Sequence, residues 1–232
     1  MNQLIEIQHI QKVYPKNVIA IPHIHLSIPQ GRMVGLVGAT KSGKSTLLQI
    51  MAGIIAPTHG DILINGNTLS IAEKNLISFS SQQLCLNKNM TVSEWTDSFS
   101  LLFDDFRAET ALQLFHIFQI DISRKINSLP LELREKAQLI LTLSRNVPIY
   151  LLDEPLSSVS PELRNAILKT MLPYCSAEST VIVSTAHPFG MEEYIQDIVL
   201  LKKGCVIVAD AIDHISSQSG KSLNELYKEV FA

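Results

Sequence analysis

Apolar residues come in short bursts near the start of this chain and at helical spacing through its middle. Leu4 to Ile10, Val18 to Ile24, His25 to Ile28 and Met33 to Val37 read as strands, with Pro29, Gln30 and Gly31 punctuating the last two. Leu47-Leu48-Gln49-Ile50-Met51 predicts a helix to about Ala52, followed by Gly53. Pro57 to Gly66 reads as a turn, a strand and an Asn-Gly turn. From about 90 to 145 the spacing becomes helical. Leu101, Leu102, Phe106, Ala111, Leu112, Leu114, Phe115 and Phe118 recur at three and four, which predicts a packed helical face. An α/β pattern then resumes: a strand Ile149 to Leu152, a helix Pro161 to Met171, strands Val181 to Ser184 and near Ile198 to Leu201, and a last helix over about Leu223 to Phe231. Ser222 and Glu225, three apart, form a capping-box start for that helix.

Between the strand ending at Val37 and the helix starting near Leu47 stands Gly38-Ala39-Thr40-Lys41-Ser42-Gly43-Lys44-Ser45-Thr46. Gly38 and Gly43 permit backbone conformations that aim successive N–H groups inward, so loop and helix N-terminus form a cradle for polyphosphate. Lys44 is placed to reach the β- and γ-phosphates, and Ser45 to ligate magnesium. The bland alternative is a glycine turn with an exposed lysine, and the strand-before, helix-after context argues against it.

Composition narrows the partners. The 232 residues are 46% hydrophobic and 18% charged, with 19 basic and 22 acidic residues giving a net charge of −3. That is a folded globular chain with no basic run, so nucleic acid is not the expected partner. No apolar stretch is long enough to span a bilayer, and Met1 to Ile7 lacks the features of a signal peptide. Cys85, Cys175 and Cys205 show no metal-ligand spacing and read as reduced thiols. His23 and His25 share one face of a strand without an acidic or cysteine neighbour, and read as an ordinary exposed pair rather than a metal site.

The second chemical signal is Tyr150-Leu151-Leu152-Asp153-Glu154-Pro155, an apolar strand ending in two carboxylates. A parallel strand beside a phosphate loop delivers such an acid to the magnesium shell, so Asp153 is a magnesium ligand candidate. Glu154 then lies near the γ-phosphate, where a carboxylate polarises an attacking water as general base.

With both motifs in place, the whole chain resembles the ATP-binding subunit of an ATP-binding cassette (ABC) transporter. The resemblance implies an α/β fold with a P-loop NTPase core, an N-terminal antiparallel β subdomain and an inserted α-helical subdomain. Residues 1–84 and 146–232 would form the core with its β subdomain, and 85–145 the helical part. It also implies ATP and Mg2+ as cofactors. Tyr14 stands where the family stacks an aromatic on adenine. Gln82 matches the glutamine that links magnesium and attacking water to the helical subdomain, and His187 the histidine that contacts the γ-phosphate. Asn89 to Glu94, Lys125 to Leu129 and Ser222 to Leu226 resemble the multidrug and antibiotic-export (ABC-2 type) branch. Implied partners are membrane-spanning permease subunits and a second ABC ATPase subunit, with the chain peripheral on the cytoplasmic face of the cell membrane.

One stretch departs from the family. Where Leu-Ser-Gly-Gly-Gln is usual, this chain has Leu129-Pro130-Leu131-Glu132-Leu133. In the family this segment faces the γ-phosphate held by the opposite subunit of an ATP-sandwich dimer. Pro130 removes a hydroxyl and a backbone donor, and Glu132 would point negative charge towards phosphate. Ser157-Ser158-Val159-Ser160 likewise lacks the usual Leu-Asp. What the chain offers its own nucleotide looks intact, and what it would offer a partner's looks damaged. The expectation is therefore a heterodimer with a second, normal cassette, weakly active as a homodimer. The alternative is an ATP-binding regulatory module with impaired hydrolysis.

Overall fold

The computed structural model describes residues 3–231. In chain order the elements are β1 (Gln3–Tyr14), β2 (Val18–Pro29), β3 (Met33–Val37), α1 (Lys44–Met51), β4 (His59–Ile64), β5 (Asn67–Thr68), α2 (Ile71–Asn75) and β6 (Ile77–Ser80). Then come α3 (Val92–Leu102), α4 (Ala108–Ile117), α5 (Leu131–Leu143), β7 (Ile149–Leu152), α6 (Pro161–Met171), β8 (Thr180–Thr185), β9 (Asp197–Lys202), β10 (Cys205–Ala211), α7 (Ile212–Ser219) and α8 (Leu223–Phe231).

Two sheets organise them. A four-stranded antiparallel sheet runs β2-β1-β4-β5, and a six-stranded sheet runs β10-β9-β3-β8-β7-β6. The second is parallel except for β10, which closes one edge antiparallel to β9. Parallel strands are covered on both faces, which is why β7 reads as an unbroken apolar run. Its side chains alternate between two cores: Leu151 packs with α1 and the antiparallel sheet, while Tyr150 and Leu152 pack with α4, α5 and α6. β8 repeats the pattern, Ile182 on the first side and Val181 and Val183 on the second.

The sequence reading needs correction in three places. Val18–Ile24 and His25–Ile28 are one strand, β2, because it lies at the sheet edge, where Pro22 costs no ladder bond. A register shift opposite Ile10–Lys12 separates its buried Ile21 from the alternating Ile24, Leu26 and Ile28. Secondly, Leu101, Leu102 and Leu112 are exposed rather than packed. The buried face of α4 runs Ala111, Leu114, Phe115, and α3 packs through Val92, Trp95, Thr96 and Phe99, so those leucines fall outside both stripes. Thirdly, β5, α2, β6, β10 and α7 have no counterpart in the sequence reading. The Asn65-Gly66 turn is present with both residues at positive φ, 50° and 77°.

Beside His23 and His25 stands His9, whose Nδ1 lies 3.0 Å from His23 Nε2 on the exposed sheet face. Among the described residues no group of three or more metal-ligating side chains has the geometry to hold an ion.

Candidate phosphate-binding and hydrolytic site

β3, β7 and β8 are adjacent and parallel, so their C-terminal ends deliver three loops to one place. The loop after β3 turns into α1 at Gly43, whose φ of 106° is a conformation L side chains rarely adopt. At Gly38 a Cβ would fall 2.3 Å from Leu201 O and 2.5 Å from Ser42 Oγ, so only glycine fits.

Lys44, 4% exposed, folds back over this loop. Its Nζ donates to Gly38 O at 2.7 Å and Ala39 O at 3.2 Å, and pairs with Glu154 Oε1 at 3.1 Å. Ser45 donates to Asp153 Oδ1 at 3.0 Å, and Ser184 donates to the same oxygen at 2.8 Å. Burial pushes the Asp153 carboxyl above the usual carboxylate range. The Ser184 and Ser45 hydrogen bonds and Lys44 oppose that, while the Glu154 charge adds to it. Glu154 itself adopts φ 44°, its N–H donates to Ser184 Oγ at 2.8 Å, and its Oε2 accepts from Ala186 N at 3.3 Å.

Around these groups lies a cavity of about 530 Å³, whose lining includes Lys44, Ser45, Gln82, Glu154 and His187, with Thr40 and Lys41 at its phosphate-loop side. An adjoining hollow of about 520 Å³ is bounded by Tyr14, Lys41, Ser42, Gly43, Thr46 and Lys203. Tyr14 Oη lies 3.4 Å from Thr46 Oγ1, and Lys12 Nζ sits 5.2 Å from the Tyr14 ring centre. The residues singled out from sequence therefore occupy two connected hollows, with Gly38, Ala39 and Asp153 one hydrogen bond behind. The donor set suits a magnesium nucleotide. A lysine ammonium and loop amides meet phosphate, a hydroxyl and a carboxylate stand ready for a hard cation, and the Ser42 hydroxyl is buried without a hydrogen-bond partner.

Sequence reasoning missed Ser184, Arg164 and Lys203. Ser184 was visible as a hydroxyl closing an apolar strand, and it donates to the Asp153 carboxylate while accepting the Glu154 backbone N–H. Arg164, 7% exposed on α6, donates to Thr185 Oγ1 at 3.0 Å and His187 O at 2.7 Å.

α5 begins at Pro130, which takes the N-cap position without a side-chain cap. Glu132 does not stand as a lone charge, since its carboxylate pairs with Lys136 at 2.5 Å. The α5 residues behind it tie the neighbouring loops together. Gln138 receives Cys85 N–H at 2.8 Å and donates to Ser81 O at 2.7 Å, flanking Gln82. Glu135 accepts from Ser157 Oγ, Ser158 N and Ser158 Oγ, at 3.2, 3.2 and 2.6 Å.

Comparison with known proteins places this arrangement. A family model described as ABC transporter matches residues 21–157. The thiamine import ATP-binding protein ThiQ of Yersinia pestis is 32% identical over 169 residues, covering 70% of this chain and 72% of that protein. The phosphonates import ATP-binding protein PhnC 1 of Halalkalibacterium halodurans is 25% identical across 98% of the chain and 94% of its own length. The lipoprotein-releasing system ATP-binding protein LolD of Rickettsia bellii is 24% identical over 88% of the chain and 98% of its own length. Among solved structures, an ATP-binding subunit of an ABC transporter superposes with TM-score 0.84 at 23% identity, covering 99% of this chain and all of that one.

Proposed function

The chain belongs to the ABC transporter family, and from that premise we propose that it is the hydrolysing half of an asymmetric ATPase pair that powers membrane-spanning subunits in export. As an ABC transporter ATP-binding subunit it binds and hydrolyses ATP, works with permease subunits and dimerises. Among the described residues no helix is long and apolar enough to cross a membrane. Attachment to the cytoplasmic face through a permease is part of the proposal.

The observation that carries the reading is the asymmetry of the two surfaces. Lys44, Ser45, Asp153 and Glu154 form one connected group beside Gln82 and His187, whereas the start of α5 offers Pro130 and an acidic side chain. In this reading the loop amides and Lys44 hold the phosphates, and Tyr14 faces the base. Ser45, Asp153 and Gln82 would hold magnesium, which when bound supplies charge neutralisation on the phosphate oxygens. Glu154 takes the proton of the attacking water, and His187 orients the γ-phosphate. A second cassette with an ordinary signature completes the site.

Export is supported by the three short stretches that resemble that branch and by the lipoprotein-releasing relative. The thiamine and phosphonates import relatives favour a second reading, uptake. The test is mild detergent extraction, affinity purification of this chain and mass spectrometry of what co-purifies. A permease together with a cassette bearing an intact signature is the expected result, and its permease then permits a vesicle assay of direction. Recovery without either partner would leave an ATP-binding regulatory module.

A further inference from the structure

We propose that Tyr227, on the C-terminal helix α8, is a positioning residue for ATP hydrolysis: its hydroxyl fixes the peptide unit that carries His187 beside Glu154. This rests on the reading of Glu154 and His187 as the hydrolytic pair.

The segment after β8 is held from every side. Ala186 N–H donates to Glu154 Oε2 at 3.3 Å, and Ala186 C=O accepts from Tyr227 Oη at 2.8 Å. That carbonyl belongs to the peptide bond whose N–H is His187's own, and His187 N–H donates to Thr185 Oγ1 at 3.0 Å. The far side, His187 C=O, accepts from Arg164. Thr185 and Arg164 are part of the buried core. Tyr227 is the contact to the Ala186–His187 peptide that arrives from α8.

The helix is built to present that hydroxyl. Leu223, Tyr227 and Phe231, spaced by four, share one face. Leu223 is 3% exposed, the Tyr227 and Phe231 rings pack at a 34° tilt with centres 4.7 Å apart, and Phe189 meets Tyr227 edge-on at 6.3 Å. Lys202 of β9 donates to Val230 O and lies over the Phe231 ring. Burial and the nearby Glu154 charge push the tyrosine hydroxyl above its ordinary range, so it remains a donor at neutral pH. Two carboxylate-side and backbone bonds thus converge on one residue, Ala186, and undocking α8 removes one of them.

The test is Tyr227→Phe in the purified complex, which keeps the ring and removes one hydroxyl. Steady-state hydrolysis is expected to show kcat lowered about three- to tenfold, the range for losing one neutral hydrogen bond. KM for ATP and the affinity for a non-hydrolysable analogue stay within about twofold. In the same complex, deuterium exchange of peptides covering 185–189 should speed by a similar factor, with no change around Leu223. A tyrosine that merely anchors α8 would lower thermal stability and loosen the helix while leaving kcat alone. Wild-type kcat, unaltered exchange at 185–189, or a rise in KM at constant kcat would overturn the proposal. Absence of hydrolysis by the wild-type complex would sink the ATPase reading instead, and the exchange measurement would still decide the contact.

Discussion

Lys44 Nζ and Glu154 Oε1 lie 3.1 Å apart, so the phosphate-loop lysine and the proposed general base form an ion pair. In the proposed reading phosphate competes with Glu154 for the Lys44 ammonium, which frees the carboxylate to act on water. Glu154→Gln is therefore expected to strengthen ATP binding a few-fold while lowering kcat by at least about a hundredfold, the lower range for removing a general base. Equilibrium binding and steady-state turnover of the same preparation separate the two effects.

Lys44→Ala removes a charge-assisted contact to phosphate and leaves Glu154 without its cation. Charge-assisted hydrogen bonds contribute about 1.5–3 kcal/mol, so ATP affinity should fall about ten- to a hundredfold. Calorimetric titration with a non-hydrolysable analogue checks this. An unchanged affinity would mean that the loop amides alone hold the phosphates.

Asp153 carries a pH signature. Its pKa is raised in the fold, chiefly by burial. A raised folded pKa means that ionisation opposes folding: the favourable contribution is full below the ordinary carboxylate pKa and is lost as pH rises through the folded value. Asp153→Asn should accordingly leave the nucleotide-free protein as stable or more stable at pH 7, with the gain vanishing in acid. It should also abolish stabilisation by magnesium plus ATP. Thermal melts across pH 4 to 8, with and without magnesium nucleotide, test both parts.

Two thiols provide a contrast independent of catalysis. Cys85 is exposed in the loop tied to Gln138, whereas Cys175 is buried and its thiol is pushed up to about 12. The thiolate is the reactive form. Alkylation of the native protein should label Cys85 well before Cys175, and peptide mapping over time reads the order.

Much of this site was legible because phosphate chemistry constrains local sequence. Gly38 and Gly43 are dictated by close contact and backbone angle, and Asp153-Glu154 by the end of a buried strand. What escaped depends on long-range pairing. Nothing near Ser184 announces that β8 lies beside β7, and nothing near Tyr227 says that α8 returns to Ala186. The apolar spacing of 101–118 misled for a related reason. Helical period marks a stripe, yet where one helix ends and which stripe meets a neighbour is decided by packing, which leaves Leu101, Leu102 and Leu112 outside. Glu132 shows the same limit: its sequence neighbours suggested bare repulsion, and one helical turn on Lys136 takes up the charge.

The proposed divergence of the 129–133 segment from the family signature has its own consequence. Because Lys136 offsets Glu132, the proposed heterodimer would rest on the missing glycine and serine chemistry more than on net charge. The triple change Pro130→Ser, Leu131→Gly, Glu132→Gly should raise the ATPase rate of the isolated chain by about tenfold, equivalent to roughly 1.4 kcal/mol of barrier. No gain would mean that the proposed second cassette contributes more than its signature.

Single-turnover hydrolysis of bound ATP in the co-purified native complex tests the central claim most directly, with Glu154→Gln measured alongside. The account predicts that the wild-type complex converts its bound ATP to ADP and phosphate within minutes, and that the variant holds ATP intact. Wild-type complex that keeps ATP unhydrolysed for hours, or a variant that turns over as fast as wild type, would contradict it.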